Sequence, residues 1–328
     1  MEQAETAMNV SFPEAALPPR MQSPEGLRWG TFRTADGVAL RWAALSAPGA
    51  GTACLLVGGL AECIEKYFET MADLAARGFA VWCLDWRGQG GSQRPRRYPT
   101  RPQWRNFDRD ADDLAVFAAA HLPDAARRLL VAHSMGGAIA LLALHRTPRL
   151  FAAAALSAPM LGIPTGTIPH AAARILAAGA SWLGLGAAFA PGWGPWRYDP
   201  EIAVRSLTTR DPVRAGIEQA WFLARPDLRV DGPTYGWVHA ALAVTARLRQ
   251  PRILGAIATP LLIGCPGGDR FVDVAATVRA ATLLPDATLM RFPDARHELF
   301  SEIDAVRTAW LDAIADLARA RLPASAAA

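Results

Sequence analysis

Apolar residues in this chain come mostly in short unbroken runs and not in strict alternation. Residues 53–57, 79–84, 129–132, 152–156 and 260–265 are nearly continuous apolar stretches. A run of that length, bounded by turn residues, reads as a strand buried on both faces. Helical spacing follows at 65–77, 108–121 and 135–146, and again at 272–281 and 298–321. Gly78 stops the first of these helices, and Pro148 lies just beyond the third. Residues 288–292 add one more strand before the last helix. Strands and helices in alternation predict an α/β fold, a parallel sheet with helices on both faces. Near the start, residues 27–32 and 38–44 flank Thr34-Ala35-Asp36-Gly37, and the Asp-Gly pair predicts a β-hairpin.

The rhythm breaks between about 160 and 250. That interval is rich in Gly and Pro and holds Trp182, Trp193, Trp196, Trp221 and Trp237. It reads as a helical cap inserted between two strands. The expected organisation is a loose N-terminal arm (1–25), an α/β core (26–160 and 251–322), a cap (161–250) and a short tail (323–328). Within the cap, residues 171–191 are apolar apart from Arg174 and Ser181, about long enough to cross a bilayer. Their Ala and Gly content, the internal arginine and the mid-chain position favour a buried or surface-associated helix pair. Peripheral membrane contact is the accompanying expectation.

Composition narrows the class. Hydrophobic residues make up 52% and charged residues 20%, which excludes a disordered chain. The net charge is only +4, and Lys66 is the sole lysine among 34 basic residues. No zinc spacing, RNA-binding signature or basic helix is present, so a nucleic-acid partner is not expected. Cys54, Cys63, Cys83 and Cys265 form no C-x-x-C, and a chain of this length needs no disulfide staple. Residues 1–20 carry Glu2 and Glu5 and lack the apolar run of a signal peptide, so a cytoplasmic protein is expected.

The chemistry centres on Ala132-His133-Ser134-Met135-Gly136. An apolar run leads in, small residues sit two before and two after the serine, and a helix-forming run leads out. This is the form of a nucleophile elbow, with alanine where G-x-S-x-G has its first glycine. A serine hydroxyl needs a histidine to take its proton and a carboxylate to orient that histidine. In elbow enzymes they follow in the order serine, acid, histidine. Asp269 ends a strand and a Gly-rich turn, and His297 lies just past the last strand; both reach the carboxyl edge of the sheet. Asp273 is the alternative acid, better suited to the start of the next helix. His133 adjoins the serine, and its side chain is expected to point away from it. The oxyanion donors expected are the backbone N–H groups of Met135 and of Leu60, in Val57-Gly58-Gly59-Leu60-Ala61-Glu62. Asp85-Trp86-Arg87-Gly88-Gln89-Gly90 lacks the Lys-Ser/Thr of a phosphate loop and reads as a structural turn under the site. Arg94, Arg96, Arg97, Arg101 and Arg105 follow as a basic loop, a solvated surface or a contact for lipid phosphates. No cluster has metal-ligand spacing, so no metal or other cofactor is expected.

With these residues in hand, the chain resembles the α/β-hydrolase superfamily, and more narrowly the bacterial lysophospholipase and monoacylglycerol lipase group. The stretches that carry the likeness are Gly58-Gly59-Leu60-Ala61-Glu62 with Tyr67, Asp85 to Gly90, Ala132 to Gly137, Gly268-Asp269-Arg270, and Arg296-His297-Glu298. Gly232 to Trp237 in the cap resembles the lysophospholipase branch. The resemblance implies an eight-stranded, mostly parallel sheet with a V-shaped cap. It implies Ser134 as nucleophile, Asp269 as acid, His297 as base, and Leu60 and Met135 as oxyanion donors. Gly58 stands where many relatives have histidine, and Cys63 where the monoacylglycerol branch often has one; both departures bear on specificity.

The expected function is a serine esterase acting through an acyl-enzyme on single-chain lipids, with Gly59, Trp182 and Trp237 as substrate contacts. A Trp-rich apolar cap suits a long acyl tail. The alternatives are a short-chain carboxylesterase, an acyltransferase or perhydrolase on the same triad, and a ligand-binding protein without catalysis. An aminopeptidase would want an acid in the cap for the substrate amine, with Glu201, Asp211, Glu218 and Asp227 as candidates. Nothing in the sequence fixes the oligomeric state.

Overall fold

The computed structural model describes residues 17–46, 49–102 and 106–322. Eight strands form one sheet: β1 (Arg28–Arg33), β2 (Ala39–Ser46), β3 (Thr52–Val57), β4 (Phe79–Leu84), β5 (Arg128–His133), β6 (Ala153–Ser157), β7 (Leu261–Pro266) and β8 (Ala287–Phe292). Their order across the sheet is β1-β2-β4-β3-β5-β6-β7-β8. β1 and β2 pair antiparallel as the expected hairpin, and β2 joins β4 antiparallel. Every later pairing is parallel.

The helices are α1 (Phe68–Ala76), α2 (Phe107–His121), α3 (Met135–Arg146), α4 (His170–Ala180), α5 (Ile202–Arg205), α6 (Ile217–Ala224), α7 (Tyr235–Leu248), α8 (Pro251–Leu254), α9 (Val274–Ala281) and α10 (Asp304–Arg321). Strand residues alternate between two cores. Leu55, Leu130 and Ile263 face a core shared with α2, α3 and α9; Leu56, Val131 and Leu262 face one shared with α1 and α10. Covering both faces of a parallel sheet is why these strands are unbroken apolar runs. α4 to α7 lie between β6 and β7. No helix among the described residues is long and apolar enough to cross a membrane.

Three boundaries differ from expectation. The segment 65–77 divides into a tight turn at Ile64–Tyr67 and α1. α9 starts at Val274 because the Asp273 side chain caps it, accepting the N–H of Ala276. α10 starts only at Asp304. Its forerunner is tied elsewhere: Glu298 N–H donates to Thr208 O, and the Glu302 carboxylate accepts the N–H groups of Arg296 and Ile303. Arg105, most of the expected N-terminal arm and the expected tail lie outside the described residues.

The sheet brings β3 and β5 side by side, and their carboxyl ends meet the start of α3. Gly136 sits at that meeting point. A Cβ there would lie 2.5 Å from Gly58 O and 3.1 Å from Val57 O. Both are backbone atoms that cannot swing aside. Gly136→Ala should therefore destabilise the fold by about 1–3 kcal/mol, as overpacking does. A urea midpoint equal to wild type would show that this contact relaxes freely.

Candidate active site

Ser134 occupies the residue between β5 and α3, with φ 51° and ψ −115°. An L residue holds such a conformation only when its surroundings enforce it. Here Ser134 N–H donates to Ser157 O (3.0 Å), and Ser134 O accepts from Met160 N–H (2.8 Å) and Gly137 N–H (2.9 Å). β6 and the chain after it thus clamp the turn from one side. The turn leaves Ser134 Oγ facing His297 Nε2 at 3.0 Å.

His297 Nδ1 lies 2.6 Å from Asp269 Oδ2. A carboxylate only accepts, so Nδ1 carries the proton and Nε2 is left to accept from the serine hydroxyl. Asp269 Oδ1 accepts the N–H groups of Phe271 (2.7 Å) and Val272 (3.1 Å). These two bonds fix the carboxyl plane, and the side chain has no exposed surface. The structure therefore brings Ser134, His297 and Asp269 into one line. Asp273 is engaged as the cap of α9.

The loop after β3 is oriented by three neighbours. Trp86 Nε1 donates to Gly58 O (2.8 Å), Gln89 Nε2 donates to Gly59 O (3.0 Å), and Gly59 N–H donates to the Glu62 carboxylate. Across a trans peptide, N–H and C=O point oppositely. With Gly59 C=O turned to Gln89, Leu60 N–H is turned away from it. Met135 is the first residue of α3, where an N–H has no acceptor within its own helix. The Asp85–Ser92 turn thus acts as the expected support: Trp86 and Gln89 hold the Gly58-Gly59 backbone.

All five residues except Asp269 line a cavity of about 1240 Å3. Its walls are largely apolar, including Ile163, Leu176, Leu183, Trp193 and Trp237. Gly59 also lines it, and a Cβ at Gly59 would come within 3.1 Å of Ser134 Cβ. Trp237 is buried at the start of α7, after the Thr234 cap. Trp182 departs from expectation: it lies outside the lining and is 92% exposed. Gly184, at φ 81°, breaks the helix just beyond it, and the neighbouring Leu183 and Leu185 line the cavity instead.

Two features went unread in the sequence. His133 does not turn away from the site: its ring centroid is 4.7 Å from that of His297, and it lines the cavity. Burial holds its pKa down at about 4, although Glu62 pulls the other way. The second is an ionic cluster. Lys66 Nζ lies 2.8 Å from Glu62, 2.8 Å from Glu298 and 3.1 Å from Glu218. Burial pushes the Glu218 carboxyl up to about 7 against the pull of Lys66, with Glu298 and Glu62 adding to the rise. Glu62 stays ionised at about 2: burial raises it, but Lys66 and His133 more than offset that. The one available signal was that Lys66 is the only lysine in an arginine-rich chain. Among the described residues no cluster of His, Cys, Asp or Glu is arranged to hold a metal ion.

The sheet order and the strand–serine–helix turn define an α/β-hydrolase. A model of the serine aminopeptidase S33 family matches residues 50–304. Lysophospholipase L2 of Escherichia coli K12 is 32% identical over 295 residues, covering 87% of this chain and 85% of the relative. A monoacylglycerol lipase of Mycolicibacterium smegmatis is 28% identical, covering 76% and 81%. Among solved structures, a soluble variant of monoglyceride lipase from Saccharomyces cerevisiae superposes with a TM-score of 0.72 at 18% identity, covering 90% and 96%. The chain belongs to the serine aminopeptidase S33 family, in its lysophospholipase and monoacylglycerol lipase group. By class it is a carboxylic ester hydrolase.

The buried neutral His133 has a consequence for stability. Its pKa is lower in the folded chain than the unfolded 6.5, so its contribution is complete above pH 6.5 and is lost as pH falls towards 4. The loss is on the order of 3 kcal/mol. Urea unfolding between pH 7.5 and 4 should show a shallower decline for His133→Gln than for wild type. Parallel declines would mean that His133 titrates normally.

Proposed function

We propose that this protein is a serine hydrolase that cleaves the carboxylic ester of single-chain lipids, a lysophospholipid or a monoacylglycerol, through an acyl-enzyme. The observation that carries this is the Ser134–His297–Asp269 line at the wall of a large apolar cavity. In this reading Ser134 Oγ attacks the ester carbonyl as His297 Nε2 takes its proton. The N–H groups of Leu60 and Met135 receive the oxyanion. Collapse breaks the ester C–O bond, and His297 gives the proton to the departing alcohol. Water then repeats the sequence on the acyl-serine, with His297 again as base, and releases the fatty acid. Asp269 holds the imidazole tautomer and stabilises the imidazolium at each step.

The cavity favours a lipid acyl chain, being larger than most small-molecule sites and walled by apolar side chains. The names of the relatives favour the same substrates. An aminopeptidase fits less well. Asp211, Asp227 and Glu201 are absent from the cavity lining and are paired with Arg214, Arg225 and Arg205. Glu218 does line it, but faces Lys66. Residues 161–250 serve in this reading as a cap over the site.

Ser134→Ala should lower hydrolysis of lysophosphatidylcholine, monoacylglycerol and p-nitrophenyl butyrate by at least about 10^4-fold with an unchanged circular dichroism spectrum. Asp269→Asn should cost about 10^4-fold in kcat by allowing the wrong tautomer. Substantial turnover in Ser134→Ala would remove the mechanism.

The same reading includes contact with a lipid surface. Ile175, Trp182 and Leu183 are 70%, 92% and 79% exposed, and Ile175 and Leu183 also line the cavity. An apolar patch of that kind, with Arg174 exposed beside it, suits the interface of a bilayer more than water. Trp182→Ala, outside the cavity lining, should weaken sedimentation with phospholipid vesicles and leave hydrolysis of soluble p-nitrophenyl butyrate within about twofold. Vesicle binding equal to wild type would place the contact elsewhere.

A further inference from the structure

Lys66 is buried, with 5% of its side chain exposed, and meets three carboxylates from three parts of the chain. Glu62 belongs to the loop after β3. Glu298 is the residue after His297. Glu218 lies on α6, in the proposed cap. A buried ammonium needs carboxylate partners, and here it takes one from each of these three parts of the chain, so it ties them together.

Resting on the serine-hydrolase reading above, we propose that Lys66 is a positioning residue: it fixes the oxyanion loop through Glu62 and ties that loop to the seating of the cap through Glu218.

The path to the loop is direct. Glu62 Oε1 faces Lys66, while Glu62 Oε2 accepts from Tyr67 O–H (2.6 Å) and from Gly59 N–H. Gly59 N–H is thereby held away from the reacting centre, and the next amide, Leu60, is left to face it. Glu62 is also an anion close beneath the place where the oxyanion forms. Unopposed, it would repel that charge. Lys66 cancels it at short range, where a buried pair is little screened. The same ammonium bonds to Glu298, so the oxyanion loop and the backbone beside His297 share one anchor.

The path to the cap is the weakest of the three. The Lys66–Glu218 contact is the longest, and the Glu218 side chain is the most exposed of the three acids, at 30%. Lifting the cap breaks this bond first and leaves Lys66 to the other two. Cap seating is thus read out at the oxyanion loop without any substrate atom touching Glu218.

Glu218→Gln keeps the shape and leaves Lys66 with two carboxylates, so the fold should survive it. The test uses p-nitrophenyl acetate, too short to depend on the cap for binding. Glu218→Gln should lower kcat about 3–10-fold with KM within about twofold. Lys66→Met should lower kcat at least about 50-fold, and Lys66→Arg should recover part of that. Since Lys66 is the only lysine, acetylation by an N-hydroxysuccinimide ester, read by mass spectrometry of its peptide, should be faster in Glu218→Gln than in wild type. A wild-type kcat in Glu218→Gln overturns the coupling, whatever happens to KM for lipids. A fluorophosphonate that fails to label Ser134 in the wild-type protein overturns the serine reading, and this inference with it. Labelling of wild type together with an unchanged Glu218→Gln kcat overturns this inference alone.

Discussion

The backbone at Ser134 is the constraint on which the rest depends. A φ of 51° with a ψ of −115° costs an L residue on the order of 1–3 kcal/mol. The surroundings offset it. Ser157 and Met160 bond to the Ser134 backbone from β6 and beyond, and the absent Cβ of Gly136 lets α3 start hard against the end of β3. The result is a serine hydroxyl held at the carboxyl edge of the parallel strands, facing His297. Strands β3, β5 and β7 reach that same edge, and the loops after them and after β8 deliver Leu60, Ser134, Asp269 and His297. None of these four positions is set by the residue alone. Each is the end of an element whose direction the sheet fixes.

Around this turn, the carboxylates and loop carbonyls that hold the site are hydrogen-bonded. Asp269 accepts two backbone N–H bonds besides the histidine. Asp85 accepts from Arg41 and from the N–H groups of Ile64 and Gly91, joining the support turn to the segment that starts α1. The loop bearing Leu60 is held from below by Trp86, Gln89 and Glu62. Preorganisation of this kind is what lets backbone amides stabilise a transient anion without rearranging. Against this rigid floor the cavity walls are apolar and partly open. That division suits a reaction in which the ester is handled by fixed dipoles and the tail by a surface without directional demands.

Much of this was legible in the sequence, and the limits have physical causes. The strands could be read because a parallel sheet buries both faces and leaves unbroken apolar runs. That Ser134, Asp269 and His297 would meet could be read because Ser134 follows β5 directly and the other two lie in the short loops after β7 and β8, at the same edge of the sheet. The start of α10 could not, since the helical pattern of 298–303 is overridden by bonds to Thr208 and the Glu302 carboxylate. His133 was expected to turn away because it adjoins the serine; it keeps its regular place in β5, and the loop after β8 brings the His297 ring to within 4.7 Å of its own. Trp182 was read as a wall of the cavity from its type, but residue type does not say which face of its turn a side chain takes, and it is left exposed outside the lining. The Lys66 cluster was hidden for another reason. Only Glu62 is local, four residues away; the other two partners lie 152 and 232 residues off, and no local pattern links them to Lys66.

The measurement that bears most directly on the central claim is mass spectrometry of the protein quenched during turnover of a slow ester substrate. The account predicts an added acyl mass on the peptide that contains Ser134, present in wild type and absent in Ser134→Ala. Turnover with no acyl mass, or with that mass on another residue, would contradict it.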